Sequence, residues 1–153
     1  MNKITEVLKL FYDKVFDKDI FWILSGSTSL LIQGVDIKPG DIDIVTDKEG
    51  ADNIDKILSE YRIQKPEYSS TEEFRSYYGK YIINGIKIDL VGEFQYKKKD
   101  RSWSNLRHEE KFFKKDYNGM TLMLLPLEEE LKEYEELDRL EKVRKIKEKL
   151  GRE

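Results

Sequence analysis

Two aspartates separated by a single residue lie in an otherwise apolar segment of the chain. Asp41 and Asp43 belong to the sequence DIDIVT, residues 41–46. A buried carboxylate is costly unless it is paired or holds a metal ion, so these residue types need a chemical reason. If the segment is a strand, both side chains point to one face, about 6.5 Å apart, while Ile42 and Ile44 face the core. The two carboxylates can therefore share one site.

A third carboxylate, Asp89, lies in the sequence IKIDLVGEF, residues 86–94, on the polar face of a second apolar strand. If this strand pairs beside residues 41–46, three carboxylates meet over the sheet. An oxygen-rich cluster without histidine or cysteine selects Mg²⁺ or Mn²⁺. Two alternatives stay open. Asp89 could be a strand-edge charge, with Glu93 as the substitute metal ligand, and Lys87 could bind phosphate or form a surface ion pair.

The sequence Ser25-Gly26-Ser27-Thr28 follows a short apolar run and precedes a predicted helix. Glycine lets a phosphate approach the backbone closely, and a helix start presents free N–H groups and the positive end of the helix dipole. The hydroxyl groups of Ser25, Ser27 and Thr28 add hydrogen-bond donors. The segment therefore predicts an anion site beside a divalent-metal cluster, which is the combination that a nucleoside triphosphate requires.

The order of these motifs resembles that of the nucleotidyltransferase superfamily of the polymerase β type. Gly-Ser opens a helix, Asp-hydrophobic-Asp-hydrophobic follows after thirteen residues, and a further Asp stands in a later strand. Within the superfamily the chain is similar to small stand-alone domains, antibiotic-modifying enzymes and abortive-infection toxins. The resemblance implies that Asp41 and Asp43 hold two Mg²⁺ ions. It also implies that Asp89 completes one metal site and helps to deprotonate the acceptor hydroxyl.

The same resemblance implies a set of nucleotide-binding residues. Gly26 and Ser27 would contact the terminal phosphates, with the Thr28 hydroxyl as an added donor. The basic residue often seen just before the first Asp would be Lys38, and the polar Ser25 stands where the family usually has an apolar residue. These residues are expected to bind a nucleoside triphosphate, with ATP as the expected donor.

The expected activity is metal-dependent transfer of a nucleoside monophosphate to a hydroxyl of a small molecule, protein or RNA, with release of pyrophosphate. One alternative is a member of a toxin–antitoxin pair or regulatory complex that binds a protein partner and has weak or no transfer activity. A polymerase of the tailing type is the least favoured, because the chain after Asp89 is short and has no strongly basic face. The run of residues 97–101 near Trp103 is a solvated loop or a nucleic-acid patch.

Composition bounds the class of protein. The chain has 153 residues, a net charge of −3, 39% charged residues, no cysteine and one histidine. We expect a single domain over residues 1–153, no membrane-spanning helix and no overall attraction to nucleic acid. The first residues lack the features of a signal peptide, which predicts a cytoplasmic protein. The lack of cysteine excludes disulfides, thiolate metal sites and thiol nucleophiles.

Hydrophobic periodicity and turn signals predict the elements that must position these residues. Helices are predicted at 4–16, 28–34, around 54–61 and in a tail over 127–150 that is broken near Asp138. Strands are predicted at 21–24, 41–46, 74–83, 86–92, 109–116 and 120–125, with hairpin turns at Asn84-Gly85 and Asn118-Gly119. This order predicts an α+β (α/β-like) nucleotidyltransferase fold, with a mixed β-sheet flanked by helices and a C-terminal helical tail.

Overall fold

Seven strands form one mixed sheet in the computed structural model, which describes residues 2–153. The strands are β1 Ile23–Ser25, β2 Asp41–Thr46, β3 Arg62–Ser70, β4 Phe74–Ile83, β5 Ile86–Tyr96, β6 Phe113–Tyr117 and β7 Met120–Leu124. Their order across the sheet is β3-β4-β5-β2-β1-β7-β6. The helices are α1 Lys3–Val15, α2 Gly26–Ile32, α3 Lys48–Ile57, α4 Leu127–Glu136 and α5 Leu140–Leu150. The α+β class and the mixed sheet predicted from the sequence are confirmed.

The centre of the sheet sets the register of the acidic residues. Strand β2 pairs with β1 in the antiparallel direction and with β5 in the parallel direction. In this register Asp43 lies opposite Asp89 on one side and opposite Ser25 on the other. The sheet therefore places the end of β1, where α2 begins, next to both acidic strands.

The main hydrophobic cluster covers one face of the sheet. It packs α1 and α3 against the strands and includes the fully buried Ile42, Ile44, Ile88 and Leu90. A smaller cluster joins α2, α4 and α5 through Leu30, Leu131, Tyr134 and Ile146, among others. The alternation in β2 and β5 is thus as predicted, with isoleucine and leucine in the core and aspartate on the opposite face.

Both Asn-Gly pairs form tight hairpin turns, as the sequence predicts. Asn84 and Gly85 have φ values of 50° and 81°, and Asn118 and Gly119 have 47° and 80°. Positive φ at both central residues is the geometry of a type I′ turn, which matches the twist of the flanking strands. The break in the tail is also confirmed, because α4 and α5 are separated at Asp138, where φ is 54°.

Several predicted boundaries were wrong, and one strand was missed. Helix α3, predicted around residues 54–61, covers Lys48–Ile57, because the Asp47 side chain accepts from the Gly50 N–H and starts the helix earlier. The strand predicted over 109–116 begins only at residue 113, because residues 107–109 form a 3-10 turn. Helix α2 begins at Gly26 rather than at residue 28, and β5 continues to Tyr96. Strand β3 was not predicted because it is an exposed edge strand whose mostly polar side chains show no apolar alternation, and it carries a proline at an irregular register. No helix within residues 2–153 has the length and apolar character needed to cross a membrane.

Candidate active site

The three predicted carboxylates lie on one face of two adjacent strands. Asp41 and Asp43 project from β2, and Asp89 projects from β5 opposite Asp43. The Asp41 side chain is 41% exposed, whereas that of Asp89 is 14% exposed. The structure therefore brings the three predicted acids together. Asp41 lies at the solvent-exposed side of the group, and Asp89 is largely buried.

A lysine lies between two of the acids. The Nζ atom of Lys87 is 3.5 Å from Oδ2 of Asp41 and 3.4 Å from Oδ2 of Asp89. Burial opposes its charge, but Asp89 and Asp41 together raise the pKa of the Lys87 ammonium above its ordinary value. Lys87 is thus a cation within the acidic cluster. Of the two roles considered for it from the sequence, the structure shows the ion pair, with Asp41 and Asp89.

Tyr78 orients Asp89 from the neighbouring strand β4. Its hydroxyl donates to Oδ1 of Asp89 at 2.6 Å. Burial, followed by this hydrogen bond, raises the pKa of Tyr78 well above the ordinary value, so the phenol keeps its proton and remains a donor. The sequence alone gives Tyr78 no role beyond a place in a predicted strand. Only the pairing of β4 with β5 could show that it faces the acids.

Asp43 is the acid of this cluster whose negative charge is least favoured in the metal-free protein. Burial, then Asp89 and then Asp41, raise the pKa of Asp43 to about 7. Carboxylates that oppose one another in this way favour a bound cation, and an all-oxygen donor set suits Mg²⁺ or Mn²⁺. Within residues 2–153, no group of three or more His, Cys, Asp or Glu side chains is already gathered to hold a metal. The residue types fit the ion, and Lys87 is the cation that it would displace.

The turn before α2 depends on a glycine. Gly26 has φ of +72°, and a Cβ atom there would lie 1.9 Å from Oδ2 of Asp43. Only glycine accommodates both the left-handed backbone and the close carboxylate. The Gly26 N–H donates to Oε2 of Glu130 at 2.9 Å, so α4 fixes this turn through a side chain. The group that closely approaches Gly26 is thus the Asp43 carboxylate, and phosphate binding at this turn stays a prediction.

Beneath the turn lies a buried ionic network that sequence reasoning missed. Arg107 is 3% exposed, its Nη1 is 3.6 Å from Oε1 of Glu130, and its Nη2 donates to Glu133. Burial opposes the charge of Arg107, but Glu133, Glu130 and Glu110 raise its pKa above the ordinary value. Burial likewise raises the pKa of Glu130 to about 8, against the opposing effect of Arg107. The signal in the sequence was two glutamates three residues apart on the apolar face of α4.

Three other predicted residues lie outside this cluster. The Thr28 hydroxyl donates to the backbone oxygen of Asp41 at 2.6 Å, so it fixes the start of β2. Lys38 is exposed in the loop before β2, and its role in phosphate binding stays a prediction. Glu93, the substitute ligand, accepts from the Lys48 N–H at 3.2 Å and lies 3.3 Å from His108. The structure thus favours Asp89 over Glu93 as the third acid.

Two cavities meet at Asp43. One has a volume of about 310 Å³ and is lined by the Gly26 turn and, from the C-terminal helices, by Arg139 and Lys142 among others. The other has a volume of about 350 Å³ and is lined by Asp89, Tyr78 and residues of β3 and β4. Four residues line both: Asp43, Phe74, Val91 and Phe94. Asp43 therefore lies where the two cavities adjoin.

A mixed sheet with a Gly-Ser turn facing paired aspartates defines the class of the protein as a nucleotidyltransferase. A family model described as aminoglycoside-2''-adenylyltransferase matches residues 6–145, and the chain belongs to this family. No curated protein sequence matches it significantly.

Solved structures agree with this assignment. A Thermotoga maritima protein described as a nucleotidyltransferase is 34% identical, with a TM-score of 0.81 over 96% of this chain and 92% of its own. Two further structures share the fold. Lincosamide antibiotic adenylyltransferase LnuA, bound to lincomycin, has 15% identity and a TM-score of 0.56, covering 96% of each chain. ANT(2'')-Ia with adenylyl-2''-tobramycin has 12% identity and a TM-score of 0.58, over 99% of this chain and 91% of its own.

Proposed function

We propose that this nucleotidyltransferase transfers the adenylyl group of ATP to a hydroxyl of a small acceptor, depends on Mg²⁺ or Mn²⁺, and releases pyrophosphate. The observation that carries the proposal is the position of Asp43 between two cavities. One cavity contains the glycine turn and the other contains Asp89. A donor and an acceptor bound on either side of Asp43 would bring their reacting atoms together over the carboxylates, as group transfer requires.

The cavity with the Gly26 turn is the proposed nucleotide site. Lys142 and Arg139 line it and supply positive charge for the phosphates. Lys142 also acts electrostatically on Asp43. Asp41, Asp43 and Asp89 would hold the metal, which when bound would supply positive charge that stabilises the developing negative charge and lowers the pKa of the attacking hydroxyl. Two proteins of the same fold are an adenylyltransferase, LnuA, and a protein bound to an adenylylated antibiotic, ANT(2'')-Ia, and this supports ATP as the donor.

The cavity that contains Asp89 is the proposed acceptor site. Asp89 is the acid available there to accept the proton of the acceptor hydroxyl as that oxygen attacks phosphorus. Tyr78 holds one oxygen of Asp89 through its hydrogen bond and leaves Oδ2 for this role. Lys87 lies 3.4 Å from that oxygen, so its ammonium group must move away or remain paired with Asp89 during the reaction. The position of Lys87 therefore affects both proton transfer to Asp89 and metal binding by Asp89.

Isothermal titration of ATP in the presence of Mg²⁺ tests the site, with wild type compared with Asp41→Asn. We expect metal-dependent binding by wild type that is lost or strongly weakened in the variant, because one charge of the metal site is gone. Equal metal-dependent binding by the two proteins would refute the assignment. The regulatory alternative predicts binding without transfer, which incubation with labelled ATP and a cell extract separates from the enzymatic proposal.

A further inference from the structure

The ammonium group of Lys87 bridges two of the predicted metal ligands. Lys87 pairs in register with Asp41 across β2 and β5, and it lies two residues before Asp89 on the same face of β5. Its Nζ is 3.5 Å from Oδ2 of Asp41 and 3.4 Å from Oδ2 of Asp89. The backbone therefore places this cation between two carboxylates, where an ion shared by both would lie.

Both oxygens of Asp89 already have partners. Oδ1 accepts from the Tyr78 hydroxyl at 2.6 Å, and Oδ2 faces Lys87. A divalent ion that binds Asp89 must therefore take the place of one of these two groups. Lys87 is the one that can leave, because its side chain is 37% exposed and its ammonium group ends a flexible stem of four carbons.

The spacing of the cluster suits an ammonium group rather than a divalent ion. The Lys87 nitrogen lies 3.5 and 3.4 Å from its two carboxylate oxygens. Mg²⁺ binds oxygen at about 2.0–2.1 Å, so both carboxylates must move inward when an ion replaces Lys87. Mg²⁺ is also usually held by one or two carboxylates together with substrate phosphates, rather than by protein ligands alone. A nucleotide would supply the ligands that the protein lacks.

Lys80 shows that a lysine beside Asp89 does not necessarily form this bridge. It pairs in register with Asp89 from the other neighbouring strand, β4, and is half-buried. Its Nζ lies 5.8 Å from the centroid of the Tyr78 ring, and none of the ion pairs formed within residues 2–153 includes Lys80. Lys80 is therefore a matched control for Lys87, with the same charge and a similar place in the sheet.

We propose that Lys87 is an exchangeable cation that couples metal binding to nucleotide binding. Without a metal ion, its ammonium group bridges Asp41 and Asp89. When the metal and ATP are bound, it pairs instead with the phosphate oxygens that share the ion. The inference rests on the proposed function for the identity of the nucleotide. It gives Lys87 both roles considered from the sequence, the ion pair and the phosphate contact, in two different states of the protein.

A Mn²⁺ titration without nucleotide tests the exchange. Electron paramagnetic resonance measures the free ion, because the signal of hydrated Mn²⁺ is lost on binding to protein. Lys87→Met keeps the apolar stem but removes the competing charge. We expect this variant to bind Mn²⁺ at least about tenfold more tightly than wild type, the scale of one unit charge removed close to a dication. Lys87→Gln repeats the measurement if the methionine variant does not fold.

Two further variants separate the bridge from charge in general. Lys87→Arg keeps a cation between the acids and should bind Mn²⁺ nearly as weakly as wild type. Lys80→Met removes an equal charge that does not bridge, and its affinity should stay within about threefold of wild type, because solvent and salt screen such a charge.

The second half of the test measures nucleotide affinity. A non-hydrolysable ATP analogue is titrated by calorimetry at Mg²⁺ concentrations that saturate each protein. Lys87→Met should bind the analogue about tenfold more weakly than wild type, the scale of a lost hydrogen bond to a charged group. A lysine with a purely structural ion pair would not strengthen metal binding and weaken nucleotide binding in the same variant.

Three outcomes would overturn the inference. They are equal Mn²⁺ affinity in wild type and Lys87→Met, an increase of the same size in Lys80→Met, and unchanged analogue affinity in Lys87→Met. The proposed function fails separately. If no protein binds the analogue while Lys87→Met gains Mn²⁺ affinity, the proposed function is wrong and the competition between Lys87 and the metal stands. If wild type binds the analogue with Mg²⁺ but the Mn²⁺ affinities are equal, the exchange is wrong and the proposed function stands.

Discussion

The Arg107→Met variant tests the buried ionic network that supports the Gly26 turn. Methionine fills a similar length of side chain but removes the charge that Glu130 and Glu133 face. Breaking a buried ion pair by removing one partner costs about 3–5 kcal/mol of unfolding free energy, because the remaining charge stays buried without compensation. We expect the loss to approach this range above pH 8, where Glu130 ionises in the wild-type fold.

The same variant should show a distinctive dependence on pH. Burial already raises the pKa of Glu130 from its ordinary value of 4.5 to about 8, and removal of Arg107 raises it further. Between the unfolded pKa and pH 8, Glu130 keeps its proton in both folded proteins, so both lose the same stability as the pH rises. The stability deficit of Arg107→Met relative to wild type should therefore change little up to about pH 8 and grow above it, where Glu130 ionises in the wild-type fold.

Urea denaturation of the metal-free proteins at pH 6, 8 and 9.5 measures this deficit. The matched control is Arg152→Met, because Arg152 also forms a two-pronged pair with a glutamate, Glu128, but both side chains are 50% exposed. The control should lose little or no stability at any of the three pH values, as expected for a surface pair. A loss below about 1 kcal/mol for Arg107→Met at pH 9.5, or a deficit that is the same at pH 6 and pH 9.5, would refute the reasoning.

Three further predictions concern the active site directly. Gly26→Ala should abolish Mg²⁺-dependent ATP binding in a calorimetric titration, because its Cβ would lie 1.9 Å from Oδ2 of Asp43 at a φ of +72°; binding as in wild type would show that the turn is not part of the site. Asp89→Asn should reduce transfer by on the order of 100-fold with little change in ATP affinity, measured on one purified sample. Transfer at the wild-type rate by this variant would show that Asp89 has no catalytic role. Since burial and the neighbouring acids raise the pKa of Asp43 to about 7, Mg²⁺ must displace a proton below that pH, and its affinity should rise between pH 6 and pH 8. Titrations in two buffers with different ionisation heats count the released protons, and an affinity independent of pH would contradict the role of Asp43.

The central strands and the acids on them could be predicted from the sequence because the period of a strand is two. In DIDIVT the isoleucines must face the core once the segment is extended, which sends Asp41 and Asp43 to the other face. The position of Asp89 beside them depended on one further assumption, the parallel pairing of β2 and β5, which the structure confirms. Turn chemistry was equally local, and both Asn-Gly hairpins formed as expected.

The residues that the sequence could not reveal act through tertiary contacts. Arg107 pairs with Glu130 and Glu133, which are more than twenty positions away, so the sequence does not show which cation the two glutamates of α4 meet. Tyr78 lies on β4, and its hydrogen bond to Asp89 depends on the register between that strand and β5. The missed strand β3 belongs to the same group, since it exists through pairing with β4 and buries little apolar surface of its own.

The distribution of charge links stability to activity in this protein. Asp43 and Glu130 are acids of raised pKa on the wall of one cavity, and the Gly26 N–H joins the turn beside Asp43 to Glu130. Such crowding destabilises the metal-free fold, so removal of one acid should leave the melting temperature level or higher. Asp89→Asn is the informative variant, because Asp89 is the strongest electrostatic neighbour that raises the pKa of Asp43. A variant that melts no lower than wild type yet transfers far more slowly would show that Asp89 serves catalysis at the expense of stability.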